Sequence, residues 1–309
     1  MGLQAWLSYN QLFNLFFPLL LCQITCLHAQ FCSQQQSSAL LQLKGTFSFN
    51  KSASSYYCDE NAGITSFPKM ESWKKSSDCC SWDGVDCDNK TGRVIGLDLS
   101  CSWLKGTFPP NNSLFISFSH LQKLNLAYND FSMSRIPHEF SQFTELTHLN
   151  LTSSEFSGKV PLEFSFLNKL VLLDLSSSGG LTLEDGGFEL LTRNLTNLRD
   201  LNLREVNMSS SVVPNSLLNL TSLRTLNLDS NGLRGKFPSG IFHLPNLQEL
   251  VIASGEGLTG CIPNFINLTY PLQGLLIEST AMSGILPDTI VVGVFSFIAF
   301  RPMDKQVYI

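Results

Sequence analysis

A leucine motif, Leu-x-x-Leu-x-Leu, recurs every 24 to 28 residues between Val94 and Ile277 and constrains the fold more than any other feature. The central leucines of the eight copies are Leu97, Leu124, Leu149, Leu173, Leu201, Leu226, Leu250 and Leu275. A second leucine or isoleucine two residues later lies on the same face of a short strand, because side chains alternate along a strand. A fixed period of this size predicts stacked supersecondary units, which bury together the apolar face that one unit leaves exposed.

A second motif, Gly-x-[Ile/Phe/Val/Leu]-Pro, follows the central leucines in the same phase. Its five full copies begin at Gly106, Gly158, Gly235, Gly260 and Gly284, and two weaker copies begin at Ser134 and Ser211. Glycine permits a tight turn and proline stiffens the segment that returns toward the next strand. The two motifs together predict an α/β-type solenoid whose parallel strands stack about 4.8 Å apart.

These motifs resemble the repeats of plant leucine-rich-repeat receptor ectodomains, in which Leu-x-Gly-x-Ile-Pro recurs. The segment 73–87, Trp-Lys-Lys-Ser-Ser-Asp-Cys-Cys-Ser-Trp-Asp-Gly-Val-Asp-Cys, is similar to their N-terminal cap, and 89–100 is similar to their entry into the first repeat. Among them the chain most resembles the receptor-like proteins, which have an ectodomain and one membrane span but no kinase. The resemblance implies a leucine-rich-repeat right-handed superhelix with a disulfide-stapled N-terminal cap.

Four regions are expected along the chain. Residues 1–29 contain no Lys, Arg, Asp or Glu and include an apolar stretch, which is typical of a signal peptide cleaved near Ala29. The cap occupies 30–93, where Ser38 is expected to begin a helix and Trp73 and Trp82 to fill the interior. About eight repeats occupy 94–289. Residues 290–309 form an atypical tail that breaks the repeat, and we expect it to reflect truncation; the alternative is a tail that folds over the last repeat as an improvised cap.

Cleavage after Ala29 would leave seven cysteines, an odd number, so at least one thiol is expected to be free or to pair with another molecule. The resemblance implies that Cys32 pairs with Cys79 and Cys80 with Cys87. Cys58 lies in an insertion, residues 50–68, and has no obvious partner. A secreted chain favours disulfides over zinc, because Cys79, Cys80 and Cys87 lack the spacing and the histidines of a zinc site.

Eight Asn-x-Ser/Thr sequons support passage through the secretory pathway to the apoplast or the plasma membrane, and we expect them to carry sugar. They are Asn50, Asn89, Asn111, Asn150, Asn194, Asn207, Asn219 and Asn267. Asn194, Asn219 and Asn267 share one repeat position and are expected to line one flank. A glycan on Asn150 would instead obstruct the centre of the strand ladder.

No enzymatic chemistry is indicated by the sequence. The net charge of −5 gives no reason to expect a nucleic-acid partner. Residues 255–260 spell Gly-Glu-Gly-Leu-Thr-Gly, but no β-α-β unit surrounds them, so we expect no nucleotide, and no other cofactor or metal is implied. No histidine is spaced to activate a nucleophile. No apolar stretch is long enough to span a membrane.

The concave strand face remains as the candidate binding site. Residues one before and one, three and four after each central leucine are expected to face outward or flank the ladder. The predicted ligand contacts are Lys123, Asn125, Tyr128, His148, Asp174, Asp200, Arg204, Glu205, Asp229 and Glu249. A solvated face without a ligand is the alternative interpretation of these residues.

The leading hypothesis, which the resemblance implies, is an extracellular module that perceives a peptide, protein or glycan elicitor and signals through partner receptor kinases. Because the chain lacks a kinase and a membrane span, we expect that it cannot signal alone. A secreted polygalacturonase-inhibitor-like protein and a truncated, non-signalling copy are the alternatives. A polygalacturonase inhibition assay separates the first alternative from the receptor hypothesis.

Overall fold

The computed structural model describes residues 32–108, 113–209, 211–254, 257–263 and 271–284. The expected signal peptide (1–29), the expected tail (290–309), and the sequons at Asn111 and Asn267 lie outside these residues. Within the described residues, no helix is both long enough and apolar enough to cross a membrane.

Sixteen strands and three α-helices are defined in the described residues. The strands are β1 (Ser48–Phe49), β2 (Val85–Cys87), β3 (Val94–Asp98), β4 (Leu104–Lys105), β5 (Lys123–Asn125), β6 (His148–Asn150), β7 (Ser157–Lys159), β8 (Leu172–Asp174), β9 (Gly180–Thr182), β10 (Asp200–Asn202), β11 (Thr225–Asn227), β12 (Gly235–Lys236), β13 (Glu249–Ile252), β14 (Leu258–Cys261), β15 (Gly274–Ile277) and β16 (Ala281–Ser283). The α-helices are α1 (Gln34–Lys44), α2 (Ser113–Ile116) and α3 (Gly187–Asn194). Short 3-10 helices span Lys51–Ala53, Lys69–Ser72, Cys79–Ser81, His138–Gln142, Leu162–Phe166, Asn215–Asn219 and Ser239–His243, and a π-helix spans Tyr56–Ala62.

One nine-stranded sheet, which we call the ladder, runs through all the repeats. Its order is β15-β13-β11-β10-β8-β6-β5-β3-β2, and every pair is parallel except β2 with β3. The eight central leucines, from Leu97 to Leu275, are direct register partners from strand to strand. The predicted leucine-rich-repeat solenoid is therefore confirmed, with each of the eight parallel strands contributed by one repeat and β2 by the cap.

The core lies between the ladder and the helices of the other face. Leu149, Leu173 and Leu226 are completely buried, and so are Leu151 and Leu175. Each such burial contributes about 2 kcal/mol relative to an exposed side chain. Asn129 is buried among them, where its Nδ2 donates to the carbonyl oxygens of Leu99 and Leu126 at 2.8 and 2.9 Å. The hydrogen bond to Leu99 ties the second repeat to the backbone of the first.

Smaller parallel sheets follow the ladder strands. They comprise β12-β14-β16 and β7-β9, at the positions where the Gly-x-x-Pro motif occurs. Gly158 and Gly235 have φ values of 79° and 82°, so the motif glycine is required by a left-handed turn that side chains disfavour.

A left-handed residue also follows each ladder strand, at a position where no residue type indicated one. The residue four positions after every central leucine has a φ between 47° and 63°. These residues are Cys101, Tyr128, Ser153, Ser177, Glu205, Ser230, Ser254 and Ser279. Because none is glycine, each turn is held in a costly conformation by the hydrogen bonds of its repeat.

The cap closes the β2 end of the ladder. Helix α1 begins after Ser33, whose hydroxyl accepts the amide of Gln36 at 3.2 Å, so the expected start at Ser38 is wrong by about one turn. Gln36 is buried and explains the difference, because its Oε1 accepts the amide of Val94 at 3.2 Å and holds the first turn against the ladder. Trp73 and Trp82 are buried and stacked with centroids 5.3 Å apart, as expected of interior residues.

Three disulfides are present among the described residues. Cys32 is bonded to Cys79 and Cys80 to Cys87, which are the two pairs that the resemblance implied. Cys58, for which the sequence offered no obvious partner, is bonded to Cys101 in the first repeat. Cys261 carries an exposed free thiol.

The Cys58–Cys101 bond fixes the insertion, residues 50–68, on the first two repeats. β1 pairs with β4, and the amide of Asn50 donates to the carbonyl of Trp103 at 2.7 Å. The buried hydroxyl of Ser54 accepts the Trp103 amide at 2.9 Å and donates to the carbonyl of Tyr128 at 2.7 Å. The insertion is thus a packed part of the molecule that lies beside the ladder.

Candidate ligand-binding face

The solvent side of the ladder, which we call the ladder face, presents the predicted contacts in rows. Parallel pairing without register shifts from β3 to β15 places equivalent residues of successive repeats side by side. Each row is therefore a continuous series of side chains about 4.8 Å apart, suited to an extended ligand.

The row one residue before the central leucines carries a change of charge along the ladder. From the cap end, the row begins with the exposed Lys123 and its register partner His148. Leu172 follows them, and beyond it come Asp200, Thr225 and Glu249. Positive charge thus lies toward the cap and negative charge toward the opposite end. A bound ligand with the opposite polarity would be oriented by this row.

The position of His148 in this row disfavours protonation of its ring. Its Nδ1 lies 2.8 Å from the hydroxyl of Thr147. Burial lowers the pKa of His148, the positive charge of Lys123 lowers it further, and the charge of Asp200 opposes both. The neutral ring can accept or donate a hydrogen bond to a ligand.

The row one residue after the central leucines is used by the fold itself. Asn125, Asn150 and Asp174 each accept, through Oδ1, the backbone amide two residues ahead, at 3.2, 3.0 and 2.9 Å. Asp174 also accepts the hydroxyls of Thr152 and Ser176 at 2.9 and 2.6 Å. These bonds turn the chain at the end of each strand, so Asn125 and Asp174 offer a ligand only their remaining polar groups.

The row three residues after the central leucines divides into two parts. Ala127, Thr152, Ser176 and Ala253 have short side chains and are buried, whereas this row was expected to face outward or flank the ladder. Arg204 and Asp229 remain accessible and form an ion pair at 3.1 Å. Arg204 also contacts Glu205 at 3.0 Å.

Tyr128 meets the insertion at the edge of the ladder face. Its ring centroid lies 6.0 Å from that of Tyr57, which in turn lies 5.2 Å from that of Tyr56. Sequence reasoning missed Tyr56 and Tyr57 because it gave the insertion no position. The two adjacent tyrosines directly before an unassigned cysteine were the available signal.

The positions of the described sequons differ. Asn50, Asn89, Asn207 and Asn219 are exposed, and Asn194 is half-buried at the end of α3. Asn194 and Asn219 each end the helical segment that precedes the next strand, so they share one flank as expected. Asn150 is half-buried in β6 on the ladder face.

One group of three potential metal-ligating side chains occurs in the described residues: Cys32, Asp78 and Cys79. The disulfide between the two cysteines removes both thiolates, so this group cannot bind a metal as a thiolate site.

Comparison with known proteins agrees with this architecture. The leucine rich repeat N-terminal domain family matches residues 33–55 and 61–88, leaving out part of the insertion, and the Leucine Rich Repeat family matches 120–143 and 222–244. The chain is similar to a plant ice-binding protein of known structure, with a TM-score of 0.62 and 26% identity over 82% of this chain and 73% of that one. It is also similar to the plant peptide hormone receptor RGFR1 in complex with RGF2, with a TM-score of 0.50 and 26% identity over 60% of this chain and 28% of that one.

Curated relatives are more similar in sequence. Receptor-like protein 6 of Arabidopsis thaliana is 42% identical over 266 residues, covering 84% of this chain and 26% of the relative. Receptor-like protein Cf-9 of Solanum pimpinellifolium is 41% identical over 274 residues, covering 87% and 31%. The chain spans less than a third of the length of these relatives. The chain belongs to the plant leucine-rich-repeat receptor-like proteins.

Proposed function

We propose that the chain is an extracellular recognition module that binds a peptide, protein or glycan elicitor on its ladder face, in defence or developmental signalling. The observation that carries the proposal is the unbroken parallel register from β3 to β15, which places graded charges in one row. Such a row can contact several consecutive residues of an extended ligand at once.

The relatives support this proposal. Receptor-like proteins of two plant species share more than 40% of the aligned residues. A structurally similar ectodomain belongs to a receptor for a peptide hormone. We propose on this basis that the module binds without catalysis and that its full-length relatives signal with partner receptor kinases. These relatives favour the receptor hypothesis over the polygalacturonase-inhibitor alternative.

The test uses the purified, glycosylated protein and short random peptides displayed on phage. Peptides selected on the wild-type protein are synthesised, and their dissociation constants are measured by calorimetry. The variant Lys123→Ala/Asp200→Ala/Glu249→Ala removes three charges from the ladder face. The matched variant Arg193→Ala/Glu163→Ala/Asp185→Ala removes the same charges from exposed residues elsewhere.

We expect the ladder-face variant to bind about tenfold or more weakly, and the matched variant to bind within about twofold of the wild type. Selection of no peptide, or equal losses in both variants, would contradict the proposal for peptide ligands. Inhibition of a purified polygalacturonase by the protein would favour the alternative instead.

A further inference from the structure

The insertion builds an aromatic wall at the cap end of the ladder face. The wall consists of Tyr56, Tyr57 and Tyr128, whose rings follow one another at centroid distances of 5.2 and 6.0 Å. Tyr56 and Tyr57 lie between two fixed points, because Ser54 is hydrogen-bonded to the ladder and Cys58 is bonded to Cys101. The ring positions are therefore set before any ligand arrives.

Two carboxylates lie within electrostatic reach of this wall. Glu155 lies two residues after Ser153, the member of the left-handed row in the repeat next to Tyr128, and Glu205 belongs to that row three repeats from Tyr128. The backbone of Glu155 is held by the amide of Met133, which donates to its carbonyl at 2.8 Å. Burial and then the charge of Glu155, with smaller effects of Tyr56 and Glu205, raise the pKa of Tyr57. Both carboxylates thus act on the wall electrostatically.

The two carboxylates differ in their own partners. Glu205 contacts Arg204 at 3.0 Å, and Arg204 is shared with Asp229 at 3.1 Å. In the part of the chain that the structure describes, Glu155 forms no ion pair. Glu205 and Asp229 share the single charge of Arg204, and Glu155 is not paired with it, so these groups carry an excess of negative charge.

We propose that the aromatic wall and its carboxylates receive one lysine or arginine side chain of a peptide ligand. A cation is attracted to the face of an aromatic ring within about 6 Å, and a neighbouring carboxylate adds charge complementarity. A sugar ring could also stack on tyrosine, but carboxylates at the edge favour a cation over a neutral sugar. This inference rests on the proposed function and adds the chemistry of one ligand residue.

The test uses the peptides selected on the wild-type protein and discards those that still bind the Lys123→Ala/Asp200→Ala/Glu249→Ala variant normally. In each remaining peptide, every lysine is replaced by norleucine and every arginine by citrulline, one at a time. Affinities are measured for the wild type, Tyr57→Ala, Tyr57→Phe and Glu155→Gln/Glu205→Gln. The pair Glu71→Gln/Glu163→Gln removes the same charge from exposed residues off the ladder and is the control.

We expect one replacement of a basic residue in the peptide to weaken its binding to the wild-type protein about tenfold. The same replacement should change the affinity for Tyr57→Ala and for Glu155→Gln/Glu205→Gln by less than about twofold. Tyr57→Phe and the control pair should behave as the wild type. Thermal melts and mass spectrometry of the Cys58–Cys101 bond show whether each variant retains its fold.

Ladder-face peptides without an essential basic residue, or a replacement effect that persists in Tyr57→Ala, would overturn this inference and leave the proposed function intact. Failure to select any ladder-face peptide would overturn both. Stacking of sugars instead of cations would appear as binding of a neutral oligosaccharide that Tyr57→Ala loses and Glu155→Gln/Glu205→Gln retains.

Discussion

The left-handed residue at the end of each ladder strand shows what single residues contribute to this fold. Five of the eight are serines, and the remaining three are Cys101, Tyr128 and Glu205. Nothing in these residue types predicts a positive φ, so the row was invisible in the sequence although the leucines around it were predicted correctly. The turn is imposed by hydrogen bonds between repeats, such as that from the amide of Ser177 to the carbonyl of Arg204 at 3.1 Å.

Substitution of Ser177, whose φ is 53°, tests this strain. Ser177→Gly should leave the free energy of unfolding unchanged or raise it by up to about 1 kcal/mol, because glycine adopts the turn without a steric cost. Ser177→Val should lower it by about 2 kcal/mol, because a β-branched residue is strongly disfavoured there. Urea denaturation measures both, and equal effects of glycine and valine would argue against strain at this position.

His148 makes a separate contribution through its lowered pKa. The unfolded chain binds a proton on this residue more readily than the folded protein does, so stability is lost as pH falls below about 6.5. We expect His148→Gln to lose less stability than the wild type between pH about 7.5 and about 5. Chemical denaturation at both pH values checks this, and a steeper loss in the variant would show the opposite sign.

At the scale of elements, the ladder strands were predictable and the insertion was not. A short-range repeat fixes strand positions, whereas a disulfide between Cys58 and Cys101 joins residues 43 positions apart that share no motif. The same limit decides which parts of the candidate site were predictable from the sequence. The rows of Lys123, His148 and Asp200 follow from strand periodicity, but the aromatic wall depends on how the insertion folds back.

Removal of the Cys58–Cys101 bond tests the role of the insertion. Cys58→Ala/Cys101→Ala should lower the free energy of unfolding by about 4 kcal/mol and expose Tyr56 and Tyr57 to chymotrypsin. The comparison variant Cys80→Ala/Cys87→Ala opens a loop of sequence separation 7 and should lose about 2 kcal/mol without that cleavage. Unchanged resistance to chymotrypsin in the first variant would show that the other contacts suffice to hold the insertion.

At the scale of the whole molecule, stability depends on contacts between neighbouring repeats. Each repeat buries its leucines against the next, so a cavity in a central repeat weakens the interfaces on both sides. The eight leucine positions alone were enough to predict this arrangement, because they coincide with the register of the ladder. The closure of the cap depended on Ser33 and Gln36, whose roles only the packing reveals.

Leu201→Ala, in the centre of the ladder, should lower the free energy of unfolding by about 3 kcal/mol, because it leaves a cavity at a position that is 1% exposed. The matched variant Leu162→Ala changes a leucine that is 37% exposed and should cost less than about 1 kcal/mol. Urea denaturation provides both values. Similar losses in the two variants would contradict a core centred on the ladder leucines.

The central claim, that the ladder face receives the ligand, is tested most directly by site-specific photocrosslinking. A benzophenone side chain is placed either at Thr225, on the ladder face, or at Asn215, on the 3-10 helix that precedes that strand. With a peptide selected on the wild-type protein, the account predicts crosslinking from position 225 and little from position 215. Crosslinking from position 215 with none from position 225 would contradict it.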